Sequence, residues 1–299
     1  MESIAICICT YKRHKALHNL LENLSLINRP ADCKIDIIVV DNDPLGSASH
    51  IKYEFGEIQY FIESKKGVSF ARNRAIREAN KLDADIIAFL DDDEVPTPNW
   101  LIHMYFALKN YNADIVAGPV LTILPDELKA FLPFMTRKRH PTGTPVKYWG
   151  AGNVLLRAEV FDQIGYFSEA YAIRGGEDTD FSARCNKQGL RMIWSDEAIV
   201  TEPTNITRAN SRWLSDRAYD KGRIIVKVER DLNFGSRKRR ILIALTYLVL
   251  GMAAWIGTLI IDHLFKSNYR LVSIISFKKG LGMIEELCKR PGYNENLQD

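Results

Sequence analysis

The chain has 299 residues, 46% of them hydrophobic and 26% charged, with a formal net charge of +3. That length suits one large domain or two smaller ones, and the apolar share excludes a chain without a sizeable core. The charge is uneven: residues 1–207 carry 23 Lys/Arg against 28 Asp/Glu, whereas residues 208–299 carry 17 against 9. An acidic globular part followed by a basic tail fits a partner of negative charge. Charge alone leaves membrane phospholipid and nucleic acid open; the reading adopted is anionic membrane lipid, with no nucleic-acid partner.

Strand and helix signals alternate from the start. "SIAICIC" (3–9) reads as a strand, with Cys7 and Cys9 on one face. The five cysteines form no CxxC pair, so they are expected to be reduced core residues. The apolar run from Ile4 to Cys9 is too short for a secretory signal, and Lys12, Arg13 and Lys15 follow it instead of preceding it. The globular part is therefore expected in the cytoplasm.

"HKALHNLLENLSL" (14–26) places Leu17, Leu20, Leu21 and Leu24 at helical spacing. Strands are predicted over 34–43, 58–64, 84–93 and 113–120, with helices over 67–82 and 99–111 between them. This alternation predicts an α/β fold with a mainly parallel, Rossmann-like sheet flanked by helices. In such sheets ligands collect at the carboxyl ends of the strands. Those ends read "CTYKR", "DND" and "DDDE", so Thr10, Tyr11, Arg13, Asp41, Asp91 and Asp93 are expected to line one crevice.

In an extended chain Asp91 and Asp93 point the same way and Asp92 elsewhere. Two hard oxygen ligands at that spacing suit Mg2+ or Mn2+, completed by substrate phosphates. The bland alternative is a solvated acidic turn before Pro96. Neither GxxxxGK[ST] nor a GxGxxG after a strand occurs. A nucleotide diphosphate would then depend on the metal and on Arg13 or Arg72.

"WGAGN" (149–153) sets small residues beside an aromatic and an amide. Trp149, Gly152 and Asn153 suit a sugar ring, and equally a tight turn before a buried strand. In "RGGEDTDF" (174–181) two glycines precede Glu177 and Asp178, with a helix expected to start near Thr179. Carboxylates at a helix N-terminus are expected to stay ionised, which suits a general base. An ordinary helix cap involving Asp180 is the alternative.

Ile241 to Ile261 has 21 residues without a charge, about 31 Å as a helix. The 20 residues before it hold eight Lys/Arg and the 20 after it four, which places the N-terminal part on the cytoplasmic side. A buried core helix is the alternative. The tail "SIISFKKGLGMIEELCKR" (273–290) is basic and amphipathic, so a re-entrant placement on one membrane face also fits. The division expected is 1–235 for the α/β domain and 236–299 for the basic, apolar, membrane-associating region.

The order of "CTYKR", "VVDND", "KKGVSFARNRAI", "FLDDDE", "WGAGNVLLRAEVFDQIGYFSE" and "GGEDTDFSARCNKQG" resembles the family 2 glycosyltransferases of the GT-A fold. Within them it is most like enzymes of bacterial cell-surface polysaccharide biosynthesis. The resemblance covers residues 3–230 and implies the following roles. Thr10, Tyr11, Arg13 and Asp41 hold the base and ribose of a nucleotide sugar, a UDP-sugar by resemblance, with dTDP and GDP donors open. Arg72 and Asn73 flank the nucleotide. Asp91, Asp92 and Asp93 are the DxD motif, with Asp93 the direct ligand of Mn2+ or Mg2+. Asp178 is the catalytic base and Glu177 binds the acceptor. Many relatives place a late His on the metal; here the region reads "IVTEPTNITR", so either Glu202 substitutes or that ligand is absent.

The implied reaction is inverting, metal-dependent transfer of a hexosyl unit to a hydroxyl of a lipid-linked or polysaccharide acceptor. It would take place at the cytoplasmic face of a bacterial inner membrane, with residues 241–261 as the anchor. Two other readings are a sugar nucleotidyltransferase and a non-catalytic, membrane-anchored glycan- or cation-binding module. The first calls for a Gly-rich loop after the first strand, which "CTYKRHKAL" lacks.

Overall fold

A computed structural model describes residues 1–203, 206–261 and 269–289. In chain order the elements are β1 (Glu2–Thr10), α1 (His14–Ser25), β2 (Cys33–Asp41), the short α2 (Ile51–Glu54), β3 (Ile58–Ile62), α3 (Val68–Lys81), β4 (Ile86–Asp91) and β5 (Val95–Pro96). There follow α4 (Trp100–Asn110), β6 (Ile115–Ala117), β7 (Val120–Ile123), the short α5 (Leu132–Met135), β8 (Asn153–Arg157), α6 (Glu159–Ile164) and α7 (Glu177–Gln188). The last are β9 (Met192–Trp194), β10 (Val200–Pro203), α8 (Ser211–Asp231), α9 (Arg237–Ile261) and α10 (Tyr269–Cys288). They fall into two compact units: residues 1–124 with 136–203, and residues 125–135 with the described part of 204–299.

The first unit is built on a seven-stranded sheet of order β3-β2-β1-β4-β8-β6-β9. β1, β2, β3 and β4 run parallel, β6 and β9 run parallel, and β8 is antiparallel to both of its neighbours. The sheet is therefore mainly parallel, as expected. Strand β1 shows why it is central. Ile4, Ile6 and Ile8 join one apolar cluster with Leu17, Leu20, Leu21 and Leu24 of α1. Ala5 and Cys7 join the opposite cluster with Ala71, Ala75 and Ile76 of α3. Alternate residues thus face two different helical layers. Each fully buried leucine of α1 contributes on the order of 1.5–3 kcal/mol. All five cysteines are free thiols.

Two predicted strands end differently. The stretch 113–120 is broken at Gly118 and Pro119 into β6, in the large sheet, and β7, in a three-stranded sheet of order β5-β10-β7. Proline has no N–H to give a ladder, so the chain changes sheets there. Strand β4 stops at Asp91, and the Glu94 N–H donates to the Asp91 carbonyl at 3.1 Å. Asp92 and Asp93 therefore lie in a turn, and the period-two argument does not reach them.

In the second unit α10 packs against both α8 and α9. The Asn210 side chain accepts from the Trp213 N–H at 2.8 Å and caps α8. Buried Glu286 of α10 pairs with Arg230 of α8 at 2.8 Å. α8, which the sequence reading attached to the α/β domain, belongs by its packing with the apolar C-terminal helices. Within α9, Arg237–Gly257 is long and apolar enough to cross a membrane, with mean hydropathy 1.8.

Candidate active site at the strand ends

The carboxyl ends of β1 and β4 meet through Asp92. Its Oδ2 accepts from the Thr10 hydroxyl at 2.7 Å, and its Oδ1 from Arg13 Nη1 at 3.0 Å. The same Arg13 nitrogen reaches Asp93 Oδ2 at 2.7 Å. Burial pushes the Asp92 carboxyl up to about 6, against the pull of Thr10 and Arg13. Tyr11 stands exposed at the end of β1, with the Lys12 ammonium over its ring at 5.3 Å.

A second guanidinium ties this turn to α7. Buried Arg72, on α3, donates from Nη2 to Asp91 Oδ1 at 3.2 Å and from Nη1 to Glu177 Oε1. Burial opposes its charge, but Glu177 and Asp91 outweigh that, so Arg72 is held firmly protonated. α7 begins at Glu177 instead of near Thr179, preceded by Gly176 at φ +98°. Glu177 is pushed above the ordinary carboxylate range, chiefly by burial and also by neighbouring Asp178, although Arg72 pulls it down. The expected lowering by the helix terminus is overridden there. Glu177 Oε2 is buried and has no hydrogen-bond partner. Asp178, half-buried, accepts at Oδ1 from the Thr179 N–H at 2.6 Å and from its hydroxyl at 3.2 Å.

The two glycines of "WGAGN" make room for charge. A Cβ on Gly152 would collide with Glu94 Oε1 and lie 2.8 Å from Asp91 Oδ2. A Cβ on Gly150 would collide with the guanidinium of Arg137. Glu94 is buried, and its Oε2 accepts from the Asp91 N–H at 3.0 Å. Burial first, then Asp91, push its carboxyl well above the ordinary range, and Glu202 adds to this while Arg137 opposes it. Sequence reading missed Glu94 and Arg137 as site residues; the paired glycines were the signal. Gly152→Ala is expected to cost about 1–3 kcal/mol of stability, as overpacking does, and to reduce turnover by displacing Asp91. Urea unfolding and a transfer assay check this; wild-type values in both would show that the gap is not needed.

Four expected ligand contacts instead serve the framework. Asp41 is fully buried and accepts from the N–H groups of Asp43 and Ala48 at 2.9 and 2.8 Å and from the Tyr60 hydroxyl at 2.7 Å. It shapes the loop after β2 and has no face left for a ribose. Asn73 accepts from the Phe167 N–H and donates to its carbonyl, both at 2.9 Å. Asn153 accepts from the Trp100 indole at 2.7 Å and donates to the carbonyls of Pro119 and Ala198 at 3.0 and 2.8 Å. Trp149 is buried edge-on against Phe181, with ring centroids 5.8 Å apart, so its face is not open to a sugar.

Among the described residues no three His, Cys, Asp or Glu side chains gather as a metal site. Glu202 lies on β10 opposite Thr122 of β7, and it does not gather with Asp91 and Asp93 into such a group. The donor chemistry nevertheless fits an ion completed by substrate. Asp91 and Asp93 each bind an arginine through one carboxylate oxygen, and Asp91 is about half exposed. Mg2+ and Mn2+ commonly take one or two carboxylates and complete their shell with phosphate and water.

Residues 5–165 match the family model "Glycosyl transferase family 2", and residues 135–209 match "N-terminal domain of galactosyltransferase". The chain is 30% identical over 235 residues to the succinoglycan biosynthesis protein ExoM of Rhizobium meliloti (strain 1021), covering 73% of this chain and 72% of that protein. A mannosyltransferase from Pyrobaculum calidifontis, solved with GDP-Man and Mn2+, superposes with TM-score 0.64 at 16% identity, over 95% of this chain and 87% of that one. TarS 1–349 of S. aureus, solved with UDP-GlcNAc, superposes with TM-score 0.56 at 14% identity, over 96% and 92%. These two likenesses are of fold, the GT-A fold. With the family model spanning more than half of the chain, the protein belongs to glycosyl transferase family 2 and is a glycosyltransferase.

Proposed function

We propose that the protein transfers a hexosyl unit from a nucleoside diphosphate sugar, with UDP as the carrier, to a hydroxyl of a lipid-linked or polysaccharide acceptor, inverting the anomeric configuration. The observation that carries this reading is the Arg72 bridge, which joins the acidic turn after β4 to the first turn of α7. It brings the groups suited to a diphosphate and those suited to an acceptor to one place. Solved neighbours hold UDP-GlcNAc and GDP-Man, which supports a nucleotide-sugar donor without choosing the base.

Tyr11 offers an exposed ring to the base, and Thr10 fixes the turn through Asp92. Arg13 and Arg137 supply positive charge for the diphosphate. Asp91 and Asp93 would hold Mn2+ or Mg2+, which offsets the negative charge that grows on the departing phosphate. The orphaned Oε2 of Glu177 accepts from an acceptor hydroxyl. Asp178 takes the proton of the attacking hydroxyl. Its oxygen forms the new bond to the anomeric carbon as the bond from that carbon to the phosphate oxygen breaks, and the electron pair leaves with the nucleoside diphosphate. A lipid-linked acceptor places the enzyme at a membrane, to which α9 anchors it, with the catalytic residues on the cytoplasmic side.

Assaying the purified protein against a panel of nucleotide sugars with manganese tests this; pyrophosphate exchange in place of sugar transfer would overturn it. Chelation should remove at least about tenfold of kcat/KM, restored by Mn2+, since such ions typically supply several kcal/mol. Asp93→Ala should raise the manganese needed for half-maximal donor binding. An unchanged requirement would remove Asp93 from the metal.

A further inference from the structure

The second unit carries an apolar face that stays exposed among the described residues. Leu242, Leu245, Val249, Met252 and Ile256 of α9 recur at steps of three and four, forming one stripe. They are 47% to 66% exposed, and Trp255 beside them is 53% exposed. The one hydroxyl among them, Thr246, donates to the Leu242 carbonyl at 2.9 Å, so the face presents no unmet polar group. The opposite face is packed. Ala244 clusters with Met283 of α10 and Val226 of α8, and the Ser273 hydroxyl of α10 donates to the Gly251 carbonyl at 2.7 Å.

The packing also fixes which parts of the three helices lie level. A Cβ on Gly280 would lie 2.9 Å from Leu248 and 3.0 Å from the Ala244 carbonyl. A Cβ on Gly222 would collide with the Lys279 carbonyl, and one on Gly282 with that of Tyr219. Residues 244–248 of α9, 279–282 of α10 and 219–222 of α8 therefore share one level, which is the middle of the apolar stretch Arg237–Gly257. At that level Asp220 and Lys221 are exposed on α8. Lys279 of α10 donates to the Tyr247 hydroxyl at 2.8 Å.

We infer that α9 lies in the plane of an anionic lipid surface, its exposed stripe immersed and α8 held on the water side, and does not cross the bilayer. If α9 stood across the membrane, the packing would carry α10 and α8 in with it. Asp220 and Lys221 would then sit at mid-depth, where charged side chains are strongly disfavoured. Lying flat removes that conflict and sets exposed Arg237, Lys238 and Arg239 beside the headgroups. The same basic run favours anionic lipid over a second copy of this chain, whose own run it would repel. The inference rests on the membrane association proposed above and is independent of the transfer chemistry.

Flotation of the full chain on phosphatidylcholine vesicles, with and without phosphatidylglycerol, tests the occupant. The protein should float with the anionic vesicles, and Leu245→Glu with Val249→Glu should reduce the bound fraction at least about tenfold, since two buried apolar side chains are lost. Retained hydrolysis of the donor by this double variant shows that the catalytic unit is intact. A wild-type chain that does not float, or a dimer that the same double variant dissolves, would overturn the lipid assignment. Asp220→Cys, in a Cys288→Ser background, tests the orientation. A membrane-impermeant maleimide should label it on vesicles at the rate seen in detergent. Protection of that position on vesicles to which the protein binds would mean that α9 spans, and the in-plane placement would fall while membrane association stood.

Discussion

Asp178→Asn is expected to lower kcat by about 10²- to 10⁴-fold, the range typical of a lost general base, while donor affinity stays near that of the wild type. The substitution keeps the shape of the side chain and an oxygen that can accept from the Thr179 N–H and hydroxyl, the contacts now made by Oδ1. It removes the carboxylate proposed to take the proton of the attacking hydroxyl. Binding should survive because Arg13, proposed for the diphosphate, and Asp91 and Asp93, proposed for its ion, pair with one another or with Arg72 and not with Asp178. Donor affinity by calorimetry and single-turnover transfer rates separate the two effects. If affinity drops as much as turnover, Asp178 belongs to the donor site and the base must be sought elsewhere.

Arg72→Ala should strongly destabilise the first unit. Arg72 and Glu177 are both buried, with side-chain exposures of 7% and 8%. Removing one member of a buried pair typically costs about 3–5 kcal/mol, because the other charge is left without compensation. Asp91, at 48%, loses less. Turnover should fall by about 10²-fold or more as the acidic turn and α7 lose their tie, since misplacement of about 1 Å has that effect. Arg72→Lys retains the charge but not the fork, so it should recover stability more than activity. Adding Glu177→Gln to Arg72→Ala should restore part of the lost stability, because the buried charge is gone. Urea unfolding of the wild type, Arg72→Ala, Glu177→Gln and the double variant, treated as a double-mutant cycle, measures this. Equal losses for Arg72→Ala with and without Glu177→Gln would mean that the two side chains are not energetically coupled.

Much of the sheet was legible in the sequence. Ile4, Ile6 and Ile8 alternate with Ala5 and Cys7, and Leu17 to Leu24 recur at helical spacing. Both are local patterns, and local patterns survive folding. What a side chain touches across the fold is not local. Asn73 meets Phe167, 94 residues on, and Asn153 meets Ala198, 45 residues on. An amide beside a glycine looks the same in the sequence whether it grips a sugar or the backbone of another loop. The acidic run misled for a related reason: alternation holds only while the strand continues, and Glu94 turns the chain after Asp91. The packing face of α8 was hidden because charges crowd its sequence, although Ala218, Gly222 and Val226 form a buried seam. Arg137 showed itself only through the space that Gly150 leaves.

The two arginines at the acidic turn bear on the resting protein. Consecutive carboxylates repel, yet here Arg13 lies between Asp92 and Asp93, and Arg72 lies against Asp91. The turn is thus partly neutralised from within the polypeptide. Arg13, with its side chain 43% exposed against 7% for Arg72, is the one of the two counter-charges that solvent reaches, so salt should weaken the outer half of this turn before the inner half.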